Sequence, residues 1–228
     1  MNNKIDEIKQ IISLAYENHK KNNLELAESL YNKILKIDQN HFDTIFLLGT
    51  LFLQKKNFNE AVNLFNKALK IRPNHPNTNH NLGYAFIEIG EHKKAKQILE
   101  KVIEMQPNHA DAHYNLANIH KHFGDFLEAE KSYKRNIQIQ PNNPASYNNL
   151  GNILKELGKH KEAINLYNKA IKIQYNHANA YHNLGNTYKQ LGDLQNAETA
   201  FVKALEYRPT NLETLSVLVE LKKEIIST

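Results

Sequence analysis

Residues 147–158 read YNNLGNILKELG, and residues 181–192 read YHNLGNTYKQLG. The two stretches lie 34 positions apart, and all eight glycines and all six prolines of the chain fall into four positions of one 34-residue repeat. Glycine and proline are the strongest local punctuators of backbone structure, so their phasing indicates the architecture. A period of 34 residues with helical patterning is typical of stacked helix–turn–helix repeats.

Six copies of the repeat fit the sequence, with residues 1–7 as a leader and residues 212–228 as a last helix. The copies are 8–41, 42–75, 76–109, 110–143, 144–177 and 178–211. Position 7 of the copy is leucine throughout, at Leu14, Leu48, Leu82, Leu116, Leu150 and Leu184. Position 8 is glycine or alanine, position 20 is always alanine, and position 24 is large, at Tyr31, Phe65, Leu99, Tyr133, Tyr167 and Phe201.

This pattern predicts two antiparallel helices in each copy, here called helix A and helix B. Positions 4, 7, 8 and 11 share one stripe of helix A at the helical period. We expect the small residue at position 8 to face the alanine at position 20, with bulky residues at 4, 11 and 24 on either side. Glycine at position 15 suits the left-handed turn that ends helix A. Proline at position 32 stops helix B, and proline at position 1 begins the next helix A.

These positions resemble the tetratricopeptide repeat family over residues 8–211. The resemblance implies an all-α fold, a right-handed α-solenoid of six helix–turn–helix repeats with residues 212–228 as a C-terminal capping helix. Copy 1 departs from the family pattern at Asn18, Asn22 and Gln39, and copy 5 departs at Tyr175. Val219 stands at the small position of the last helix, which is tolerable if no second helix packs there. The alternative is that the chain is the front of a longer protein.

The composition narrows the classes of partner and site. There is no cysteine, so disulfides, thiolate zinc sites and cysteine nucleophiles are excluded. The net charge of +5 is spread as single lysines between acids, which argues against nucleic acid and against RNA binding in particular. No stretch approaches the roughly 20 apolar residues that span a bilayer, and no signal-peptide core is present. We therefore expect a cytoplasmic protein without a membrane partner.

The family resemblance implies that helix A lines a concave surface that binds extended peptides, through positions 2, 5, 6, 9, 12 and 13. Position 6 is asparagine in copies 3 to 6, at Asn81, Asn115, Asn149 and Asn183. In copies 4 to 6, positions 9 and 12 are Asn118, Asn152, Asn186 and Lys121, Lys155, Lys189. A side-chain amide donates and accepts, so a ladder of them suits the backbone of any extended peptide. The lysines favour acidic side chains on that peptide.

The stretches 147–158 and 181–192 also resemble the repeat arm of O-linked N-acetylglucosamine transferases. In that family, groove asparagines hold the backbone of the client protein, which implies the same role for the position-6 asparagines. The competing interpretation is that asparagine is simply a soluble surface residue in an Asn-rich chain. Asparagine is a mediocre helix former, so its recurrence at one mid-helix phase favours a functional use.

Catalytic and cofactor sites are not indicated. The sequence has no Gly-rich phosphate loop, nucleophile elbow or HExxH motif, so we expect a non-enzymatic protein without a cofactor. A carboxylate clamp of the co-chaperone type is excluded, because positions 5 and 6 carry no lysine or arginine. Position 5 is Ile12, Phe46, His80, Tyr114, Asn148 and His182.

Histidines suggest a metal site only weakly. His109, His113 and His120 are spaced at four and seven residues, but His113 and His120 occupy the bulky positions 4 and 11. No acidic or cysteine ligand recurs with them at zinc spacing, so no metal is expected. His75, His109 and His177 fall at the turn between copies and are interpreted as turn or cap residues.

The groove positions of copies 1 and 2 are apolar instead. They include Ile12, Tyr16, Phe46, Leu47 and Leu53. Such a stretch favours docking of a hydrophobic segment. Burial by the N-terminal residues and self-association of the chain are equal alternatives.

The sequence therefore predicts a non-catalytic protein–protein interaction scaffold that binds an extended peptide through the asparagine ladder. The second hypothesis is the substrate-recruiting arm of a glycosyltransferase whose catalytic domain is absent from this chain.

Overall fold

Thirteen α-helices and no strands make up the part of the chain described by the computed structural model, residues 2–227, with side chains from 4 to 226. The helices are α1 (Asn2–Lys20), α2 (Leu24–Ile37), α3 (Phe42–Gln54), α4 (Phe58–Ile71), α5 (Pro76–Glu88), α6 (His92–Met105), α7 (Ala110–His122), α8 (Phe126–Ile139), α9 (Pro144–Glu156), α10 (His160–Ile173), α11 (Ala178–Gln190), α12 (Leu194–Tyr207) and α13 (Leu212–Ser227). The predicted all-α fold of helix–turn–helix repeats is confirmed.

Helix starts follow the repeat period. Helices α3, α5, α7, α9 and α11 begin at residues 42, 76, 110, 144 and 178, where the sequence divides into copies. Pro76 and Pro144 open their helices, as predicted for proline at position 1. Residues 2–7 of the leader are helical and continuous with the first helix A, while Met1 and Thr228 lie outside the described residues.

The chain divides into two compact units, residues 1–112 and 113–228. The first unit buries apolar clusters that include Tyr31 with Ile45, and Phe65 with Leu82. The second unit buries clusters that include Tyr133 with Tyr167, and Phe201 with Leu218. Each unit therefore has a core built from the repeat positions identified in the sequence.

The small residue at position 8 has a different partner from the one predicted. A Cβ atom added to Gly151 would lie 2.6 Å from Cε1 of Tyr167, and one added to Gly49 would lie 2.6 Å from Cε1 of Phe65. Both rings are fully buried. In these two copies the atoms nearest to the missing Cβ belong to the ring at position 24 and not to the alanine at position 20, whereas copies 1 and 4 place Ala15 and Ala117 in the copies of Tyr31 and Tyr133.

The left-handed backbone predicted for glycine at position 15 occurs in every copy, including two without glycine. The φ angles are 82°, 78°, 74° and 75° at Gly90, Gly124, Gly158 and Gly192, and 63° and 57° at Asn22 and Lys56. After Lys56, the amide of Asn57 donates to the carbonyl of Phe52 at 2.8 Å, which closes the helix end in a Schellman pattern. Lysine has a side chain that this conformation disfavours.

Replacing Lys56 with glycine is expected to raise the free energy of unfolding by about 1 kcal/mol, because it relieves the left-handed strain. Urea unfolding followed by circular dichroism measures the change. Asn22→Gly is the matched control and should gain less, since asparagine tolerates this backbone and the Asn22 Oδ1 accepts from Gln54 Nε2 at 2.9 Å. A loss of stability in Lys56→Gly would contradict the interpretation.

Candidate functional site

A polar cleft lies in the second unit, between α9, α11 and the start of α13. Its volume is about 680 Å³. It is lined by Asn148, Asn149, Asn152, Asn179, His182, Asn183, Arg208, Thr210, Asn211, Leu212 and Glu213. Three predicted ligand-binding residues, Asn149, Asn152 and Asn183, are therefore brought together on one surface. Amides, a hydroxyl and two charged groups give this cleft both donors and acceptors.

The asparagines of this cleft are joined to each other by hydrogen bonds. Asn183 Nδ2 donates to Asn148 Oδ1 at 2.9 Å, and Asn148 Nδ2 donates to Asn149 Oδ1 at 3.2 Å. Asn149 Nδ2 then donates to the hydroxyl of Tyr114 at 3.1 Å. Each amide has two N–H groups and an oxygen with two lone pairs, so one bond in each direction leaves capacity for a ligand. The chain of bonds holds the amides in defined orientations.

Two of the three position-9 asparagines have a structural partner that the sequence reasoning missed. The Tyr133 hydroxyl donates to Asn118 Oδ1 at 2.6 Å, and the Tyr167 hydroxyl donates to Asn152 Oδ1 at 2.8 Å. Burial raises the pKa of both tyrosines, which keeps the hydroxyls protonated as donors. Each of these two asparagines accepts a hydrogen bond from a buried tyrosine hydroxyl, and this hydrogen bond stabilises the core. The signal in the sequence was tyrosine at position 24 of these two copies.

His182 also lines the cleft; it stands at groove position 5 but was not among the predicted binding residues. It is buried, and its Nδ1 lies 2.7 Å from Thr214 Oγ1 while its Nε2 accepts from Asn186 Nδ2 at 2.9 Å. Burial lowers the pKa of His182; the Glu213 carboxylate, 3.6 Å from Nε2, opposes this, and Lys155 reinforces it. The imidazole is therefore neutral at neutral pH and anchors Asn186 to α13 through Thr214.

The predicted lysines do not line the cleft. Lys155 is partly buried, and its Nζ is 3.4 Å from Glu156 Oε1. Lys189 is half-buried on α11, and Lys121 is exposed near the end of α7. Their role toward acidic ligands stays a prediction.

The remaining ladder members lie outside this cleft. Asn115 is half-buried on α7 of the second unit. Asn81 is half-buried on α5 of the first unit, where its Oδ1 lies 3.3 Å from Nδ1 of His80. The structure therefore groups Asn149, Asn152 and Asn183 at one cleft, and peptide binding by every predicted asparagine stays a prediction.

The apolar groove positions of copies 1 and 2 are partly used in packing. Ile12, Phe46 and Leu47 lie against the first unit's core, and the Phe46 ring centroid is 5.5 Å from that of His75 and 6.2 Å from that of Phe65. Leu53 is half-buried, and Tyr16 is exposed. Docking of a hydrophobic segment and self-association stay predictions.

Histidines at position 34 cap helix A, as predicted for His75, His109 and His177. Their Nδ1 atoms accept from the backbone N–H of Thr78, Ala112 and Ala180 respectively, each at 3.2 Å, and His41 does the same for Thr44 at 3.3 Å. His113 and His120 are buried, as expected for positions 4 and 11. Within the described residues no three His, Asp or Glu side chains are grouped to hold a metal ion. In the same part of the chain no helix is long and apolar enough to cross a membrane.

Four family profiles, each described as tetratricopeptide repeat, match residues 11–41, 52–119, 108–176 and 178–211. Together they span most of the chain. The chain belongs to the tetratricopeptide repeat family. No curated protein sequence matches it significantly.

Solved structures share the fold of this tetratricopeptide repeat chain. A crystal structure of MamA is 28% identical, with a TM-score of 0.67 over 73% of this chain and 97% of that chain. PilF of Pseudomonas aeruginosa is 18% identical, with a TM-score of 0.82 over 96% of this chain and 99% of that chain. YrrB, described as a TPR protein with an unusual peptide-binding site, is 19% identical, with a TM-score of 0.69 over 82% and 96%. At 18% and 19% identity, the likeness to PilF and YrrB shows the fold alone.

Proposed function

We propose that this chain is a non-catalytic interaction scaffold that binds an extended segment of a partner protein in the asparagine-lined cleft of its second unit. The observation that supports this most strongly is the hydrogen-bonded series of Asn183, Asn148 and Asn149 along the cleft. Amides fixed in orientation before binding lose little further freedom when a peptide backbone pairs with them. Because backbone groups are common to all peptides, the asparagines supply affinity without demanding a side-chain sequence.

The direct test is selection of peptides from a random dodecamer phage library on the immobilised protein. Peptides selected on the wild type are expected to bind the Asn149→Ala, Asn183→Ala double variant at least tenfold more weakly, because two amides of the cleft are lost. Fluorescence anisotropy with the labelled peptides measures the affinities. Unchanged affinity in the double variant would contradict the proposal.

The structure also changes the expected stability of such variants. From the sequence alone, we expect alanine at Asn115, Asn149 and Asn183 to abolish client capture and leave the melting temperature nearly unchanged. Asn149 and Asn183 each donate a hydrogen bond, so removing each is now expected to cost about 1 kcal/mol. Asn165→Ala, Asn168→Ala is the matched control, because both asparagines are exposed on helix B of the same repeat.

The recruiting arm of a glycosyltransferase is the second candidate, and asparagine at position 6 is the observation that favours it. Affinity capture with the intact chain from its own cells, followed by mass spectrometry, separates the two. A glycosyltransferase that co-purifies with both the wild type and the double variant, together with clients captured only by the wild type, would support the recruiting arm. Partners without a transferase would support the general scaffold.

A further inference from the structure

Arg208 is the positively charged residue of the asparagine-lined cleft. It is the C-cap residue after α12 and is exposed, and its Nη1 donates to Asn179 Oδ1 at 3.3 Å. Within the described residues, no carboxylate oxygen lies within 4.0 Å of its guanidinium nitrogens. Among the described residues its side chain therefore bonds a neutral amide and forms no ion pair.

In the second copy of the repeat, the arginine at the same position lies close to a carboxylate. Arg72 occupies position 31 of that copy, as Arg208 does in the sixth. Its Nη1 lies 3.7 Å from Oδ1 of Asp43, and its guanidinium lies 4.1 Å from the ring centroid of Phe42. Asp43 and Asn179 both stand at position 2. Arg72 is therefore paired with a carboxylate of this chain. Arg208, at the same repeat position, is paired with a side-chain amide beside the cleft.

The other charged residue lining the cleft is Glu213. Its Oε1 is 3.6 Å from His182 Nε2, and its side chain is largely exposed. Its charge is directed to the imidazole and lies beyond 4.0 Å of Arg208. Because this carboxylate also lines the cleft, it repels a second carboxylate and so limits the affinity for an acidic ligand.

We propose that the cleft selects extended segments that carry an acidic side chain, whose carboxylate binds Arg208 while the backbone pairs with the asparagines. This rests on the proposed peptide binding and names the chemistry of the ligand. A guanidinium presents paired N–H donors that match a carboxylate, and such charge-assisted bonds are stronger than neutral ones. Arg208 is exposed, so solvent screening reduces the gain to about three- to tenfold in affinity.

Asn179→Asp is the decisive variant, because it gives Arg208 the internal carboxylate that Arg72 has in the second copy. Dodecamer libraries selected on the wild type are expected to be enriched in Asp or Glu at one position. Selection on Asn179→Asp or Arg208→Gln is expected to lose that enrichment. In anisotropy, an enriched peptide is expected to lose about three- to tenfold in affinity when its acid is changed to Asn, and both variants should abolish this difference.

Glu213→Gln is a second test, in which the affinity for the acidic peptide is expected to rise. Removing this carboxylate is expected to strengthen binding of the acidic peptide and to leave its Asn analogue unchanged. Peptides that depend on Asn149 and Asn183 but show no acidic preference would overturn the Arg208 inference and leave the proposed function intact. Absence of any peptide that depends on those asparagines would overturn both.

Discussion

Leu150→Ala is expected to lower the free energy of unfolding by about 2–5 kcal/mol, the cost of truncating a leucine in a packed core. Leu150 is 3% exposed and lies in the cluster that includes Tyr133 of the preceding copy. In the same way, Leu82 clusters with Phe65, and Leu218 with Phe201. The position-7 leucine therefore packs against the preceding copy, and its loss leaves a cavity at the junction of two copies.

Leu14 is the matched control for that effect, because it holds position 7 of the first copy and is 53% exposed. No preceding helix pair covers it within the described residues. Leu14→Ala is expected to cost less than about 1 kcal/mol, since little apolar surface is returned to water. Urea unfolding monitored by circular dichroism gives both values. Equal losses at Leu14 and Leu150 would show that position 7 does not derive its burial from the neighbouring copy.

Acidification from pH 8 to pH 5 is expected to destabilise the protein through its histidine caps. An Nδ1 atom that accepts from a backbone N–H loses its lone pair on protonation, and the new charge faces the positive helix N-terminus. Burial lowers the pKa of His75; the charge of Arg72 lowers it further, and the charge of Asp43 opposes the shift. Burial also lowers the pKa of His177. The unfolded chain therefore binds more protons than the folded chain once the pH falls below about 6.5, the ordinary histidine value.

Because these pKa values are lowered in the folded state, the stability decreases as the pH falls. The contribution of the caps is complete above the ordinary histidine pKa and is lost as the pH falls through it toward the lower pKa of the folded state. Each lost cap costs about 0.5–2 kcal/mol, and we take the lower half of that range because the imidazoles are half-exposed. The two caps with lowered pKa values, at His75 and His177, then cost roughly 1–2.5 kcal/mol together.

Asparagine can replace the capping histidines without titrating. Asn143 caps α9 at the same repeat position by accepting from Ala145 N–H at 3.1 Å. His75→Asn, His177→Asn should retain the caps and flatten the dependence of the melting temperature on pH between 8 and 5. His80 and His182 also have lowered pKa values from burial, so the double variant keeps a residual slope. An unchanged slope in the double variant would assign the pH dependence to other groups.

The elements of this fold were predictable because their signals are local. Glycine at position 15, proline at position 1 and the helical stripe act through backbone dihedrals and side-chain spacing within one copy. The left-handed backbone of Lys56 was not predicted, because lysine gives no signal for it; the strain is imposed by the packing of the repeat.

The candidate site was predictable only in part. Asn149, Asn152 and Asn183 were identified from their phase, and the structure places them at one cleft. His182 stands at the groove position 5 but was not singled out as a site residue, and Arg208 was missed because position 31 is not among the groove positions implied by the family resemblance.

The sequence by itself determined the repeat, the helices and the positions that are buried, because a 34-residue period repeats the same local preferences six times. Only the tertiary structure decided what each polar side chain does. Asn152 meets Tyr167 across 15 residues, and Asn183 meets Asn148 across 35. These hydrogen bonds depend on distances of about 3 Å between atoms on different helices. The packing of the helices sets those distances, and the sequence period does not determine them.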